Sequence, residues 1–116
     1  MSTKARILVV DDDATMREAL RDTLGAEGYG VLAVDNAIHA IAELEKQEAD
    51  LVLADLTLPR VSGLELLDSV RRQWPGIEVI VITGQGSIET AVDAIKRGAY
   101  HYVTKPFTPE DRKSVV

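Results

Sequence analysis

The stretch RILVVDDDAT at residues 6–15 carries most of the information about the fold, because four apolar residues run directly into three aspartates. A continuous apolar run of this length is typical of a parallel strand that is covered on both faces. Two carboxylates about 4 Å apart repel each other by roughly 4 kcal/mol at an effective dielectric constant near 20. A simple turn can be built from Asn, Ser or Gly. The run Asp11–Asp13 therefore indicates that another group offsets the repulsion.

The same kind of apolar run recurs along the chain. LVLA at 51–54 and VIVI at 79–82 predict two further buried strands. YGVLAVD at 29–35 and AYHYVTK at 99–105 are less uniformly apolar, and they predict strands nearer the edges of the sheet. Helical periods lie between the runs, so the sequence predicts a doubly wound α/β domain with a five-stranded parallel sheet.

The helical segments have apolar stripes and recognisable ends. The first has Met16, Leu20 and Leu24 on one apolar stripe, with Met16 and Leu20 predicted as core residues, and Gly28 can end it. The later helices have predicted N-terminal capping residues, namely Asn36, the capping-box pair Ser62 and Glu65, and Ser87. A last helix should begin near Thr108, but the sequence stops about two turns later, so this helix is predicted to be short or truncated.

Composition narrows the class of protein. The chain has 116 residues, enough for one domain over 1–116, and its 13 basic and 19 acidic residues give a net charge of -6. Such an acidic chain is a poor candidate for holding DNA phosphates by itself. It has no cysteine, which excludes disulfides, thiolate zinc sites and thiol catalysis. No apolar run has the length of a membrane span and no signal peptide is evident, so we expect no membrane contact and a cytoplasmic location.

Chemically active side chains follow four of the predicted strands. They are Asp11–Asp13, Asp55, Thr83 and Lys105. In a parallel sheet these strand ends converge on one edge, where ligands of doubly wound folds bind. Carboxylates without His or Cys nearby favour a hard cation, with Mg²⁺ the natural choice. Asp55 can act as a nucleophile on a phosphoryl group, while Lys105 and Thr83 can bind its oxygens.

The motifs VVDDD, DLTLPRVSG, VITGQG and YHYVTKPF occur in the order and spacing of a known family. The chain resembles the receiver domains of bacterial two-component response regulators over nearly its whole length. The resemblance implies a flavodoxin-like sheet of strand order 2-1-3-4-5. It further implies that Asp55 accepts a phosphoryl group from the phosphohistidine of a sensor histidine kinase. The domain would catalyse its own phosphorylation and dephosphorylation without being a turnover enzyme.

The resemblance also implies individual roles at the site. Mg²⁺ would be held by Asp11, Asp12, Asp55 and the backbone carbonyl of Thr57. Thr83 and Lys105 would take the hydroxyl and lysine roles of the family. The remaining expected roles are a switch formed by Thr83 with Tyr102, and tuning of the phosphoryl lifetime by Thr57 and Gln85.

The stretch TGQGSIETAVDAIKRGAYHYVTKPF at 83–107 is most similar to NtrC-type receivers, with FixJ-type receivers second. This similarity implies control of transcription through an output domain, on the same chain beyond residue 116 or on a separate protein. It also implies a possible phosphorylation-dependent homodimer.

Asp13 is expected to cap the first helix, with Thr15 and Glu18 as a competing capping box.

Two alternatives remain open from the sequence. The stretch DDDAT satisfies the DxDxT motif of haloacid-dehalogenase-type phosphatases, with Asp11 as nucleophile and Asp13 as general acid. Against this, the first helical stripe starts too soon after the motif, and Asp55 would have no role. A binding module is the second alternative, either an FMN domain or a receiver that takes no phosphate. An aromatic content of 4% argues against a flavin site.

Overall fold

Five strands alternate with four helices in the part of the chain that the computed structural model describes, residues 5–58, 60–84 and 88–104. The elements are β1 (Arg6–Val10), α1 (Ala14–Ala26), β2 (Gly30–Val34), α2 (Ala37–Lys46), β3 (Leu51–Asp55), α3 (Gly63–Gln73), β4 (Glu78–Thr83), α4 (Ile88–Lys96) and β5 (His101–Thr104). The strands form one parallel sheet in the order β2-β1-β3-β4-β5. The predicted fold and strand order are confirmed. The helix predicted from Thr108 lies outside the described residues.

The strand register brings the carboxyl ends of the strands to one edge of the sheet. Val10, the last residue of β1, pairs with Val34 on one side and Ala54 on the other. Asp55 pairs with Ile82, so β3 and β4 end within one residue of each other. The polar residues that follow the apolar runs therefore share this edge.

The core lies mainly between the sheet and the helices α2 and α3. Leu44 of α2 and Leu66, Leu67 and Val70 of α3 are almost completely buried against strand residues such as Val52. Burying a side chain of this kind contributes about 1.5–3 kcal/mol. The sheet edge is thus supported by a rigid layer.

The first helix is less buried than its sequence predicts. Met16, Leu20 and Leu24 are only half-buried, and α1 has no fully buried residue. The prediction that Met16 and Leu20 are core residues was wrong because α1 packs mainly on β1 and β2, and no other helix of the described chain packs extensively on its flank. An apolar stripe shows which face of a helix turns inward, but not how many neighbours cover it.

The helix ends follow the predicted chemistry. Asn36 caps α2 by accepting a 2.7 Å hydrogen bond from the amide of His39. Ser62 and Glu65 form the predicted capping box at the start of α3. Gly28, two residues past α1, has a φ of 96°, a conformation that favours glycine. Each good N-cap contributes about 1 kcal/mol, and these caps fix where the strand-to-helix loops end.

Among the described helices, none combines the length and apolarity that crossing a membrane requires.

Candidate metal centre

Asp11, directly after β1, is fixed by its neighbours. Its side chain is fully buried, and its Oδ1 accepts a 2.8 Å hydrogen bond from the amide of Asp13. Its own amide donates to the carbonyl oxygen of Val34 at 3.1 Å, which ties it to the end of β2. A carboxylate held in this way has little freedom to move away from a neighbouring charge.

Asp55 ends β3 and is 4% exposed. Its Oδ1 accepts a 2.9 Å hydrogen bond from the amide of Thr57, which orients the carboxylate. The amide of Leu56 donates to the carbonyl of Ile82 at 2.9 Å, so the loop after Asp55 begins as a continuation of the sheet. Thr57 itself is exposed. Asp55 is therefore a buried, oriented carboxylate at the bottom of an open edge.

The start of α3 packs against the peptide that follows Asp55. A Cβ atom on Gly63 would lie 2.6 Å from the Cα of Leu56 and even closer to the carbonyl oxygen of Asp55. The amide of Gly63 donates to the carbonyl of Leu56 at 3.1 Å. Only glycine fits this approach, so α3 braces the peptide that carries the Asp55 side chain.

Three carboxylates converge at this edge. One oxygen each of Asp11, Asp12 and Asp55 can be chosen so that all lie within 4.8 Å of one another. Asp12 is exposed, whereas the other two are buried. Asp12 also lines a cavity of about 290 Å³ together with Asn36 and Arg60, so this carboxylate of the cluster is accessible to small solutes.

This donor set fits a hard divalent cation. Carboxylate oxygens are the ligands that Mg²⁺ and Ca²⁺ prefer, and Mg²⁺ is commonly held by one or two carboxylates with water and phosphate oxygens completing the shell. Two of the three carboxylates here are buried, and like charges at this spacing are unfavourable unless a cation neutralises them. The chemistry of the cluster thus fits a hard divalent cation, and Asp11, Asp12 and Asp55 are three of the four ligands predicted from the sequence.

Thr83 ends β4 beside this cluster. Thr83 is fully buried. It directly follows Ile82, the residue that pairs with Asp55 in the β3–β4 register, and it pairs with Thr104 of β5. Its hydroxyl donates a 3.3 Å hydrogen bond to the carbonyl oxygen of Gly84. Tyr102 lies in β5 opposite Val81 and is half-buried against the core. The other predicted site residues, Lys105 and Gln85, lie outside the described residues.

Asp13 differs from its two neighbours because it caps α1. Its Oδ1 accepts a 2.9 Å hydrogen bond from the amide of Thr15. The predicted cap is confirmed, and the competing box is excluded because Thr15 lies inside the helix. Helix α1 begins at Ala14, so no insertion separates β1 from α1. Both findings count against Asp13 as the general acid of a phosphatase.

Two residues near the site were not identified from the sequence. Arg17 reaches back from α1 and donates a 2.7 Å hydrogen bond from Nη1 to the carbonyl oxygen of Asp11. Arg60, in the loop after β3, has a φ of 67°, which is strained for a residue with a side chain. Arg17 could have been identified from the sequence, because it is a basic residue in the first turns of a helix that follows an acidic strand end. Nothing in the sequence around Arg60 indicates its positive φ.

Comparison with known proteins gives consistent results. The family model described as "Response regulator receiver domain" matches residues 7–116. The nitrogen assimilation regulatory protein NtrX of Azorhizobium caulinodans is 42% identical over 106 residues, which is 90% of this chain and 23% of NtrX. The response regulator protein FleR of Pseudomonas aeruginosa is 39% identical over 103 residues, which is 89% of this chain and 22% of FleR.

A solved structure agrees with these relatives over most of the fold. The receiver domain of NtrX from Brucella abortus superposes with a TM-score of 0.85 at 40% identity, covering 94% of this chain and 92% of that domain. The chain spans less than a quarter of the length of FleR and of the Azorhizobium NtrX.

Proposed function

The chain belongs to the receiver domain family of two-component response regulators and is most similar to NtrC-type receivers, and from that premise we propose that Asp55 is its phosphoacceptor. The donor is the phosphohistidine of a sensor histidine kinase, and the reaction depends on Mg²⁺. The observation that carries the proposal is the convergence of Asp11, Asp12 and Asp55 around a buried, oriented Asp55 carboxylate. The family is one of signalling domains rather than of metabolic enzymes.

The transfer step is a displacement at phosphorus. A carboxylate oxygen of Asp55 attacks the phosphoryl group in line, so that a new P–O bond forms while the P–N bond to the donor imidazole breaks. The electron pair of the broken bond goes to the imidazole nitrogen. The hydrogen bond from the Thr57 amide to Oδ1 supports this role because it fixes the direction of the carboxylate before attack.

The cation would be held by Asp11, Asp12, Asp55 and the backbone carbonyl of Thr57. When bound, Mg²⁺ supplies positive charge that neutralises the carboxylates and the phosphoryl oxygens. Burial of Asp11 and Asp55 supports this assignment, since buried carboxylates interact strongly with a nearby cation.

Thr83 and Lys105 bind phosphoryl oxygens in this proposal. The hydroxyl of Thr83 donates one hydrogen bond and the ammonium of Lys105 forms an ion pair, and both stabilise the charge that spreads over the phosphoryl group. The place of Thr83 at the end of β4, one residue beyond the partner of Asp55, supports its part. After phosphorylation Thr83 moves toward the phosphoryl group and Tyr102 rotates inward, which changes the face formed by α4 and β5.

Hydrolysis returns the domain to its starting state. Water attacks phosphorus, the acyl phosphate P–O bond breaks, inorganic phosphate leaves and the Asp55 carboxylate is restored. In this proposal Thr57 and Gln85 tune the phosphoryl lifetime by acting on the attack of this water. The exposed position of Thr57 supports such a role.

The output of the switch is the control of transcription. The relatives that match are longer than this chain, and several of them are named transcriptional regulatory proteins, among them FixJ of Bradyrhizobium diazoefficiens. We therefore place an output domain outside the receiver, with a phosphorylation-dependent homodimer as one way of reaching it. The receiver itself makes no contact with DNA, in keeping with its net charge of -6.

Incubation with acetyl phosphate and Mg²⁺, followed by intact mass measurement, tests the proposal. We expect a gain of one phosphoryl group that disappears in Asp55→Asn and in EDTA. Asp13→Asn is the matched control, since asparagine also caps helices, and it should be phosphorylated normally. An adduct that survives Asp55→Asn would contradict the proposal. Phosphate release from phosphomonoesters that needs Asp11 but not Asp55 would favour the phosphatase alternative.

A further inference from the structure

Arg17 turns back from α1 toward the end of β1. Its Nη1 donates a 2.7 Å hydrogen bond to the carbonyl oxygen of Asp11, and its side chain is half-buried. The amide of Arg17 also donates to the carbonyl of Asp13 at 3.0 Å within the first turn of α1. The backbone of the β1–α1 loop therefore contacts Arg17 at two points.

The contact with Arg17 completes the restraint of Asp11. The amide of Asp11 donates to the carbonyl of Val34, and its carboxylate accepts from the amide of Asp13. With Arg17 on its carbonyl oxygen, the peptide that joins Asp11 to Asp12 is held in one orientation. That peptide decides where the exposed Asp12 carboxylate lies relative to Asp55.

We infer that Arg17 is a positioning residue of the cation site, acting through the Asp11–Asp12 peptide. The inference rests on the proposed function, in which these carboxylates bind Mg²⁺. The guanidinium makes a charge-assisted hydrogen bond, which is about twice as strong as a neutral one. Residues that orient metal ligands in this way commonly contribute tenfold to a hundredfold in metal affinity.

The charge of Arg17 has a second and opposite effect. A positive charge at the carbonyl oxygen of Asp11 reduces the mutual repulsion of the nearby carboxylates, but it also repels an incoming cation. Removing Arg17 would therefore weaken Mg²⁺ binding through lost orientation and strengthen it through lost repulsion. High salt separates the two effects, because the Debye length is about 3 Å at 1 M ionic strength and the orientation of a peptide is not screened.

Titration of the protein with MgCl₂ in 1 M NaCl, followed by the amide NMR shifts of residues 11–13, measures the orientation effect alone. We expect Arg17→Gln to bind Mg²⁺ about tenfold more weakly than the wild type. Arg17→Lys keeps the charge and a donor but lacks the planar fork, and it should recover part of the affinity. Arg21→Gln is the matched control, because Arg21 lies exposed one turn further along α1, and it should bind like the wild type.

The outcomes separate the two ideas. Equal Mg²⁺ affinity in the wild type and in folded Arg17→Gln would show that Arg17 only fastens α1 to β1, and the inference would fail. If Arg17→Gln does not fold, the comparison of Arg17→Lys with the wild type decides, with about threefold weaker binding expected and equal binding contradicting the inference. Absence of saturable Mg²⁺ binding by the wild type would overturn the proposed cation site and the inference together.

Discussion

Gly63 lies directly against the carbonyl oxygen of Asp55, so the first residue of α3 and the last residue of β3 are in backbone contact. A methyl group at residue 63 would overlap this peptide, and neither backbone can move without disturbing the site or the core. We expect Gly63→Ala to lower the free energy of unfolding by about 2–3 kcal/mol, measured by urea denaturation. It should also slow phosphorylation by acetyl phosphate, because Asp55 is displaced.

Gly25→Ala is the control for the change at Gly63. Gly25 lies within α1, and a Cβ added there meets nothing within 4 Å. Alanine is the better helix former, so this variant should gain about 0.5–1 kcal/mol. A Gly63→Ala protein as stable as the wild type would contradict the close approach described above.

Without a bound cation, repulsion among the three clustered carboxylates should lower the free energy of unfolding. Asp12→Asn removes one charge from the cluster and should raise the free energy of unfolding in EDTA by about 1 kcal/mol, a low value because Asp12 is exposed. Mg²⁺ at 100 times its dissociation constant should stabilise the wild type by about 2.7 kcal/mol and stabilise Asp12→Asn much less. Thermal melts with and without Mg²⁺ measure both effects. Asp22→Asn, an exposed change in α1, should alter neither, and an equal response of Asp12→Asn to Mg²⁺ would remove Asp12 from the site.

The backbone of Arg60 carries strain that glycine would relieve. At a φ of 67°, a residue with a side chain is less stable than glycine by about 1 kcal/mol. We expect Arg60→Gly to stabilise the protein by about that amount in urea denaturation. Arg21→Gly, within the helix α1, should have the opposite sign and a similar size. Destabilisation by Arg60→Gly would show that contacts of the arginine side chain outweigh the strain.

Arg97 links the end of α4 to α3. Its Nη1 lies 2.6 Å from Oδ2 of Asp68 and its Nε lies 3.2 Å from Oδ2 of Asp93. Asp93 and then Asp68 raise the pKa of this exposed guanidinium. Because the pairs are exposed, Arg97→Gln should lower the melting temperature by a few degrees at most, and less in 0.5 M NaCl. A double-mutant cycle with Asp68→Asn measures the coupling, which should vanish at high salt. A coupling that does not respond to salt would contradict a screened ion pair.

Local patterns in the sequence were sufficient for the sheet. The runs ILVV, LVLA and VIVI located β1, β3 and β4 to within one or two residues, since a continuous apolar run has few stable alternatives to a doubly covered strand. The less apolar segments were correctly predicted as β2 and β5 at the sheet edges. The predicted helix caps Asn36 and Ser62 are also confirmed, because capping depends on hydrogen bonds between residues a few positions apart.

Features that depend on distant parts of the chain were not predicted. The half-burial of Met16 and Leu20 depends on which elements flank α1, and the requirement for glycine at residue 63 depends on its approach to β3. The convergence of Asp11, Asp12 and Asp55 was predicted because parallel strands bring their ends together, and the structure confirms it. The roles assigned to the site residues stay predictions, both for these aspartates and for Thr57, Thr83, Gln85, Tyr102 and Lys105.

The shallow burial of α1 also affects how binding at the site can be observed. A helix with no fully buried residue opens locally at low cost, so its amide protons should exchange with solvent faster than those of α3. The same helix begins directly after the three aspartates and carries Arg17. A cation that fixes those aspartates would therefore slow hydrogen exchange along α1. Helix α1 therefore reports whether the cation site is occupied, and hydrogen–deuterium exchange with mass spectrometry can measure this without a covalently attached probe.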